Sequence, residues 1–186
     1  KMPFNLKFLE PLIHLIHKGF INRYDECLIP DTKENGGLSG DLSHYYPLAT
    51  NATFIGTLSR FKGMENTKPN SSYDVVAVIS GVEPQRTLFE ASLIERFRNT
   101  DQRVLIVAGQ PQKVKKESHE GNITIVSHLP DTEMSSVLLG AKKIISRSGY
   151  STIMDLEALN CMHKAELIPT PGQTEQEYLA KHLMER

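Results

Sequence analysis

Val75-Val76-Ala77-Val78-Ile79-Ser80-Gly81 is an unbroken apolar, largely β-branched run that closes on a small polar turn. A run with no polar residue alternating through it fits a strand covered on both faces, the setting of parallel sheets. Downstream, apolar stretches recur at Arg103 to Ala108, Ile123 to Ser127, Lys143 to Ser146 and Ala165 to Pro169. Helical patterns lie between them near Thr87 to Arg98, Thr132 to Ala141 and Ser151 to Leu159, with a last one from Glu175 to the end. This alternation predicts an α/β fold with a doubly wound parallel sheet and helices on both faces. In such sheets ligands bind beyond the carboxyl ends of the strands.

Upstream of Val75 the pattern changes. Lys62 to Tyr73 is rich in Gly, Asn, Lys, Pro and Ser and reads as a linker. Before it, Leu6, Leu9, Leu12, Ile13, Leu15, Ile16 and Phe20 recur at helical spacing, with Gly19 near the end of that helix. Glu26 to Asp31 reads as a short strand stopped at Pro30, a loop with Gly36, Gly37 and Gly40 follows, and Phe54 to Leu58 is a second apolar run. One helix and one or two strands do not make a domain. Residues 1–60 are therefore expected to be the end of a preceding domain, and residues 61–186 a ligand-binding one. The helical pattern runs to Met184-Glu185-Arg186 without a stop signal, and the chain opens on Lys1. Both ends lead to the expectation of a fragment, truncated at its carboxyl end.

The composition excludes several classes. The 186 residues are 39% hydrophobic and 23% charged, the range of globular proteins. Basic and acidic residues number 21 and 22, a net charge of −1, so nucleic acid is not an expected partner. Cys27 and Cys161 lack metal or redox spacing and read as buried small hydrophobes. No stretch is long and apolar enough for a membrane span, and none resembles a signal peptide, so a cytoplasmic protein is expected. His14 and His17 lie three apart with no third ligand nearby, so neither a metal site nor a cofactor is expected.

Three loops carry the chemistry. The first, Ser80-Gly81-Val82-Glu83-Pro84-Gln85-Arg86, offers close backbone approach at Gly81 and a forked donor at Arg86; it also reads as an ordinary strand-to-helix turn. The second, Ser146-Arg147-Ser148-Gly149-Tyr150-Ser151-Thr152, lies between a strand and a helix, where free amides and the helix dipole attract anions. Simple capping needs one Ser or Thr, and this loop has a density of small residues. About one turn on, Asp155 reads either as an acceptor for ribose hydroxyls or as a surface acid favouring the helix start. The third, Pro169 to Tyr178, brings Gln173, Gln176 and Glu177 to a helix start, suited to sugar hydroxyls or to capping alone. His128 follows a strand and is expected at the same sheet edge.

The Ser146-Arg147-Ser148-Gly149 segment, the Asp155 helix and Gln173-Thr174-Glu175-Gln176-Glu177-Tyr178 together resemble the family 28 glycosyltransferases, in particular the carboxyl-terminal domain of the group that includes the bacterial peptidoglycan N-acetylglucosaminyltransferase. The resemblance covers Tyr73 to Arg186, and Phe54-Ile55-Gly56-Thr57 resembles the family's interdomain crossing. It implies the carboxyl-terminal half of a GT-B fold, Rossmann-like, with a remnant of the amino-terminal domain, and hexosyl transfer from a nucleotide diphosphate, uridine diphosphate by expectation. It further implies backbone near Leu129 at the base, Asp155 at the ribose, Ser148, Gly149 and the neighbouring amides of Tyr150 and Ser151 at the diphosphate, and Gln176 and Glu177 at the sugar. Arg86 or Arg147 would then stabilise the leaving group. The sequence departs from the family at Ser80-Gly81-Val82-Glu83, where a glycine-glycine-serine loop is usual, and at Asp155, where glutamate is usual.

The expected activity is sugar transfer to an unidentified acceptor, lipid-linked and glycolipid acceptors included, with this chain holding the nucleotide-sugar donor and inactive alone. Peripheral association with the inner face of a membrane, through a further domain, belongs to that expectation. No catalytic base is named. Two rivals stand beside it: a nucleotide-sugar epimerase, and a noncatalytic nucleotide-sugar-binding subunit of a two-chain transferase.

Overall fold

The computed structural model describes residues 8–111 and 114–185. Leu6, expected in the first helix, lies outside them. A first unit comprises α1 (Glu10–Ile21), β1 (Cys27–Ile29), α2 (Asp41–His44) and β2 (Ala52–Phe54). β1 and β2 pair in parallel, Cys27 with Ala52 and Ile29 with Phe54, and form a sheet of their own. Pro11 opens α1, where a missing N–H costs nothing. The helix buries none of its residues: Phe8, just before it, and Leu12, Leu15, Ile16 and Phe20 are all exposed.

The second unit contains β3 (Val75–Val78), α3 (Gln85–Phe97), β4 (Val104–Val107), β5 (Glu117–Glu120), β6 (Ile123–Val126), α4 (Asp131–Gly140), β7 (Lys143–Arg147), α5 (Tyr150–Ala158), β8 (Ala165–Ile168) and α6 (Thr174–Met184). Its six strands lie in the order β5-β6-β4-β3-β7-β8, and all are parallel except the β5 edge. The chain begins at the centre, winds outward through β4 and β6, and returns to the other side at β7. The strand order therefore reverses between β3 and β7, which pair directly through Val75 to Val78. The α/β, doubly wound arrangement is the one expected.

Alternation along the strands divides the core. Val75, Ala77, Val104, Ile106 and Ile145 face α3, whose Phe89, Leu93 and Phe97 recur every four residues. Val76, Leu105, Val107, Val126 and Ile144 face α4 and α5, through Met134, Val137, Leu138, Leu156 and Leu159. Each such buried Val, Leu, Ile, Phe or Met side chain contributes about 1.5–3 kcal/mol of hydrophobic stabilisation before entropy is counted. Phe61 is buried in this second cluster with Met64 packed against it.

The stretch expected as a linker is in fact seated on α4. The Asn70 amide donates to Ser136 O at 2.9 Å, and Ser136 Oγ donates to Lys68 O at 2.7 Å. Gly140 lets this happen: a Cβ there would lie 2.0 Å from Asn70 O. Small and polar residues serve here to bring two backbones together rather than to keep the chain free. β5, which the sequence did not reveal, is exposed along its whole length. Among the described residues no helix is long and apolar enough to cross a membrane.

Candidate functional site

A cavity of about 630 Å3 opens at the carboxyl ends of the central strands, where the strand order reverses. Its floor is apolar: Val78 and Ile79 from the end of β3, Val107 from β4, Met134 and Leu138 from α4, and Leu156 from α5. Its rim is polar, with Ser80, Gly81, His128, Ser151, Thr152 and Asp155. Gly109 at the end of β4 passes so close to β3 that a Cβ would sit 2.3 Å from Ile79 O, and its φ of +63° favours glycine.

Of the expected residues, Gly81, His128, Leu129, Ser151 and Asp155 line this one cavity. The His128 ring is held by its neighbour, with Nδ1 3.0 Å from Ser127 Oγ, and that hydroxyl also accepts from the Lys116 amide at 3.0 Å. Gly149, the N-cap of α5, has no side chain to cap the helix, no capping side chain is found among the described residues, and a Cβ on Gly149 would meet no heavy atom within 4 Å. The first-turn amides of Tyr150, Ser151 and Thr152 have no intrahelical acceptor by the geometry of a helix start. An uncapped helix end over open space is an arrangement that attracts an anion.

The other expected residues are held elsewhere. Arg147 ends β7 with its side chain on the α3 face, where it is buried, donates to Pro169 O at 2.8 Å and lies over the Phe89 ring at 4.0 Å from its centroid. Burial pulls its pKa below the ordinary arginine value. Ser148 is fully buried and its hydroxyl donates to Gln176 O at 2.8 Å. Arg86 is engaged by Glu83 and reaches toward Ala108 O, and hydrogen bonds from Arg86 and Thr87 hold the Glu83 carboxyl below its usual pKa. Gln176 Oε1 accepts from the Thr170 amide at 2.9 Å while its Nε2 donates to Gln173 Oε1 at 2.6 Å. Glu177 is exposed on the first turn of α6. Gln173, Gln176 and Glu177 thus follow β8, at the same sheet edge but one strand beyond the cavity.

Residues 58 to 61 supply what the sequence did not point to. Ser59 Oγ donates to Asp155 Oδ1 at 2.6 Å. Arg60 lays its guanidinium over the Phe61 ring, donates to Asp131 Oδ1 at 3.1 Å and brings Nε to 3.4 Å from Asp155 Oδ2. Leu58, Arg60 and Phe61 all line the cavity. A signal existed: a lone arginine beside a phenylalanine, directly after the Phe54 to Leu58 run. Among the described residues the cavity therefore combines an apolar slot for a planar group, a carboxylate for hydroxyls, the Arg60 cation and a helix start for an anion.

Residues 75–186 match the glycosyltransferase family 28 C-terminal domain. No curated protein matches the chain. Among solved structures it is similar to the glycosyltransferase SnogD from Streptomyces nogalater, at 10% sequence identity and a TM-score of 0.36, over 74% of this chain and 54% of that one. The chain thus spans about half the length of that structure.

Proposed function

The chain belongs to the glycosyltransferases that carry the family 28 C-terminal domain, and from that membership we propose that it holds a nucleoside diphosphate sugar, with uridine as the nucleoside, for transfer to an acceptor bound by a preceding unit. The observation that carries this reading is the cavity at the reversal of strand order, whose rim joins Asp155 to the uncapped start of α5. The base enters the apolar slot near His128 and Leu129. The ribose diol donates to Asp155, and the diphosphate settles before Gly149.

In the transfer, the bond between the anomeric carbon and the terminal phosphate oxygen breaks as the acceptor hydroxyl oxygen forms its own bond to that carbon and gives up its proton to a base of the acceptor-binding unit. The leaving diphosphate gains negative charge, and the first-turn amides of α5, with Arg60 nearby, stabilise it. Removing one preorganised donor of this kind costs on the order of 3 kcal/mol of barrier. Gln173, Gln176 and Glu177, one strand over, face the sugar. An acceptor-binding unit completes the reaction, so the chain alone binds without turnover.

Titration calorimetry with uridine diphosphate, other nucleoside diphosphates and inorganic phosphate tests the reading. It requires a clear preference for a nucleoside diphosphate, and equal binding of phosphate alone would overturn it. Product analysis with the sugar donor alone separates transfer from epimerisation, since an epimerase converts its substrate without an acceptor.

A further inference from the structure

Between β1 and β2 the chain leaves its own small sheet and lies against α5 and α6. Leu38 is buried in a cluster with Ile153 and Met154 of α5 and Leu179 of α6. Tyr150, the first residue of α5, donates its hydroxyl to Pro30 O at 3.1 Å. The Asp41 amide donates to the Tyr178 hydroxyl on α6 at 2.7 Å. Gly40 lies so close to α6 that a Cβ would come within 2.4 Å of that hydroxyl.

Asp31 organises this excursion. Its carboxylate is completely buried and accepts from the amides of Thr32 at 2.8 Å, Leu38 at 2.8 Å and Ser39 at 3.0 Å, and from Ser39 Oγ at 2.5 Å. Burial raises its pKa, and these four hydrogen bonds more than reverse the rise, so it stays ionised below the usual carboxylate value. Gly37 wraps over it at a φ of +52°, where a Cβ would fall 2.2 Å from the carboxylate. Backbone wound on a buried, fully bonded anion has little freedom left, because each of those amides loses a charge-assisted bond if it moves.

We infer that this excursion is a bracket and that Tyr150 is a positioning residue: its hydroxyl ties the opening residue of α5 to the Asp31 loop, which keeps the first-turn amides aimed at the space before Gly149. The inference rests on the proposed function. Neither Tyr150 nor any residue of the bracket lines the cavity, so its influence on a ligand passes through the backbone of α5. Through Asp41 and Tyr178 the same bracket grips α6, and so relates the turn after β7 to the turn after β8. Donors already aimed bind an anion without the entropy cost of ordering them at each encounter.

Calorimetry on the full chain with uridine diphosphate and with uridine tests the bracket, using Tyr150→Phe and Asp31→Asn. Tyr150→Phe keeps the ring among Leu38 and Ile153 and removes the hydroxyl alone. The expected result is a loss of about fivefold to tenfold in affinity for the diphosphate, the worth of roughly one hydrogen bond, with uridine unchanged. Asp31→Asn turns a donor toward the amides it held and shifts the same ratio in the same direction. If the wild-type chain shows no preference for the diphosphate over phosphate, the proposed function fails and the bracket falls with it. If the wild type binds but Tyr150→Phe leaves the diphosphate-to-uridine ratio unchanged, the bracket alone fails, whether or not Asp31→Asn folds.

Discussion

Replacing Asp155 with asparagine separates a ribose acceptor from a structural acid. The two side chains have nearly the same shape, and Asp155 is mostly buried at the cavity rim. Its Oδ1 accepts from Ser59 Oγ at 2.6 Å, while among the described residues its Oδ2 has only Arg60 Nε at 3.4 Å. A carboxylate offers about four lone-pair directions, so acceptor capacity for a ribose diol remains. Hydrogen bonds to a charged acceptor are worth about 1.5–3 kcal/mol each, and asparagine still supplies one neutral oxygen. The loss for Asp155→Asn is therefore about 2–3 kcal/mol, or roughly 30-fold to 150-fold in affinity for uridine diphosphate. Folding changes far less. The Arg60 pair is half exposed and contributes at most about 0.5 kcal/mol, and Ser59 Oγ can accept from the new amide. Calorimetry with uridine diphosphate and its 2′-deoxy analogue, beside a melting curve, reads both quantities. Wild type discriminates between the ligands and the variant loses most of that discrimination with a melting point shifted by less than about 3 °C. Equal binding of both ligands by the wild-type chain refutes the reasoning.

Arg147→Met is expected to lower stability by roughly 1–2 kcal/mol, through the lost Pro169 bond and Phe89 contact, while diphosphate affinity stays within about twofold; urea unfolding beside calorimetry checks the split. Gly140→Ala destabilises despite alanine's better helix propensity, because its methyl meets Asn70 O, whereas Gly19→Ala in α1 meets nothing within 4 Å and stabilises by about 0.5–1 kcal/mol. Melting points of the two variants should move in opposite directions. The Glu166 carboxyl, hydrogen-bonded by Arg96 at 2.7 and 2.9 Å and paired with Lys143 Nζ at 2.6 Å, is pulled from 4.5 down to about 2. A depressed folded-state value means the contribution is complete above pH 4.5 and lost as pH falls toward 2. After solvent screening it amounts to about 1 kcal/mol, so the advantage of wild type over Glu166→Gln in urea shrinks across that window and persists at pH 7.

The sheet was legible because its strands are buried on both faces, and Val75 to Ile79, Val104 to Val107 and Ile144 to Ile145 carry that burial as uninterrupted apolar residues. β5 was not, since Glu117-Ser118-His119-Glu120 has no apolar period and becomes a strand only by pairing with β6 across the turn at Gly121-Asn122. Arg147 was expected beside the anion because of its neighbours in sequence. The pleat turns it to the other face: Ile145 and Arg147 share the α3 side, and counting alternate residues along β7 would have separated them from Ile144. Ser59 and Arg60 escaped because their role arises from distant contacts: Ser59 meets Asp155, 96 positions on, and Arg60 pairs with the same carboxylate. The Asp31 loop escaped for a related reason: its order comes from amides converging on one carboxylate, which leaves no periodic trace.

The outer rim of β5 bears consequences for how copies of this molecule meet. A bare strand invites another to zip against it and begin a fibre, yet this one presents Glu117 and Glu120 to solvent at either end of a run with no apolar residue. Two such rims brought together find nothing greasy to bury, and would have to strip water from carboxylates that already hold partners, Glu120 with Arg98 and Glu117 with His119. The open border of the sheet thus offers a neighbouring copy little to zip against.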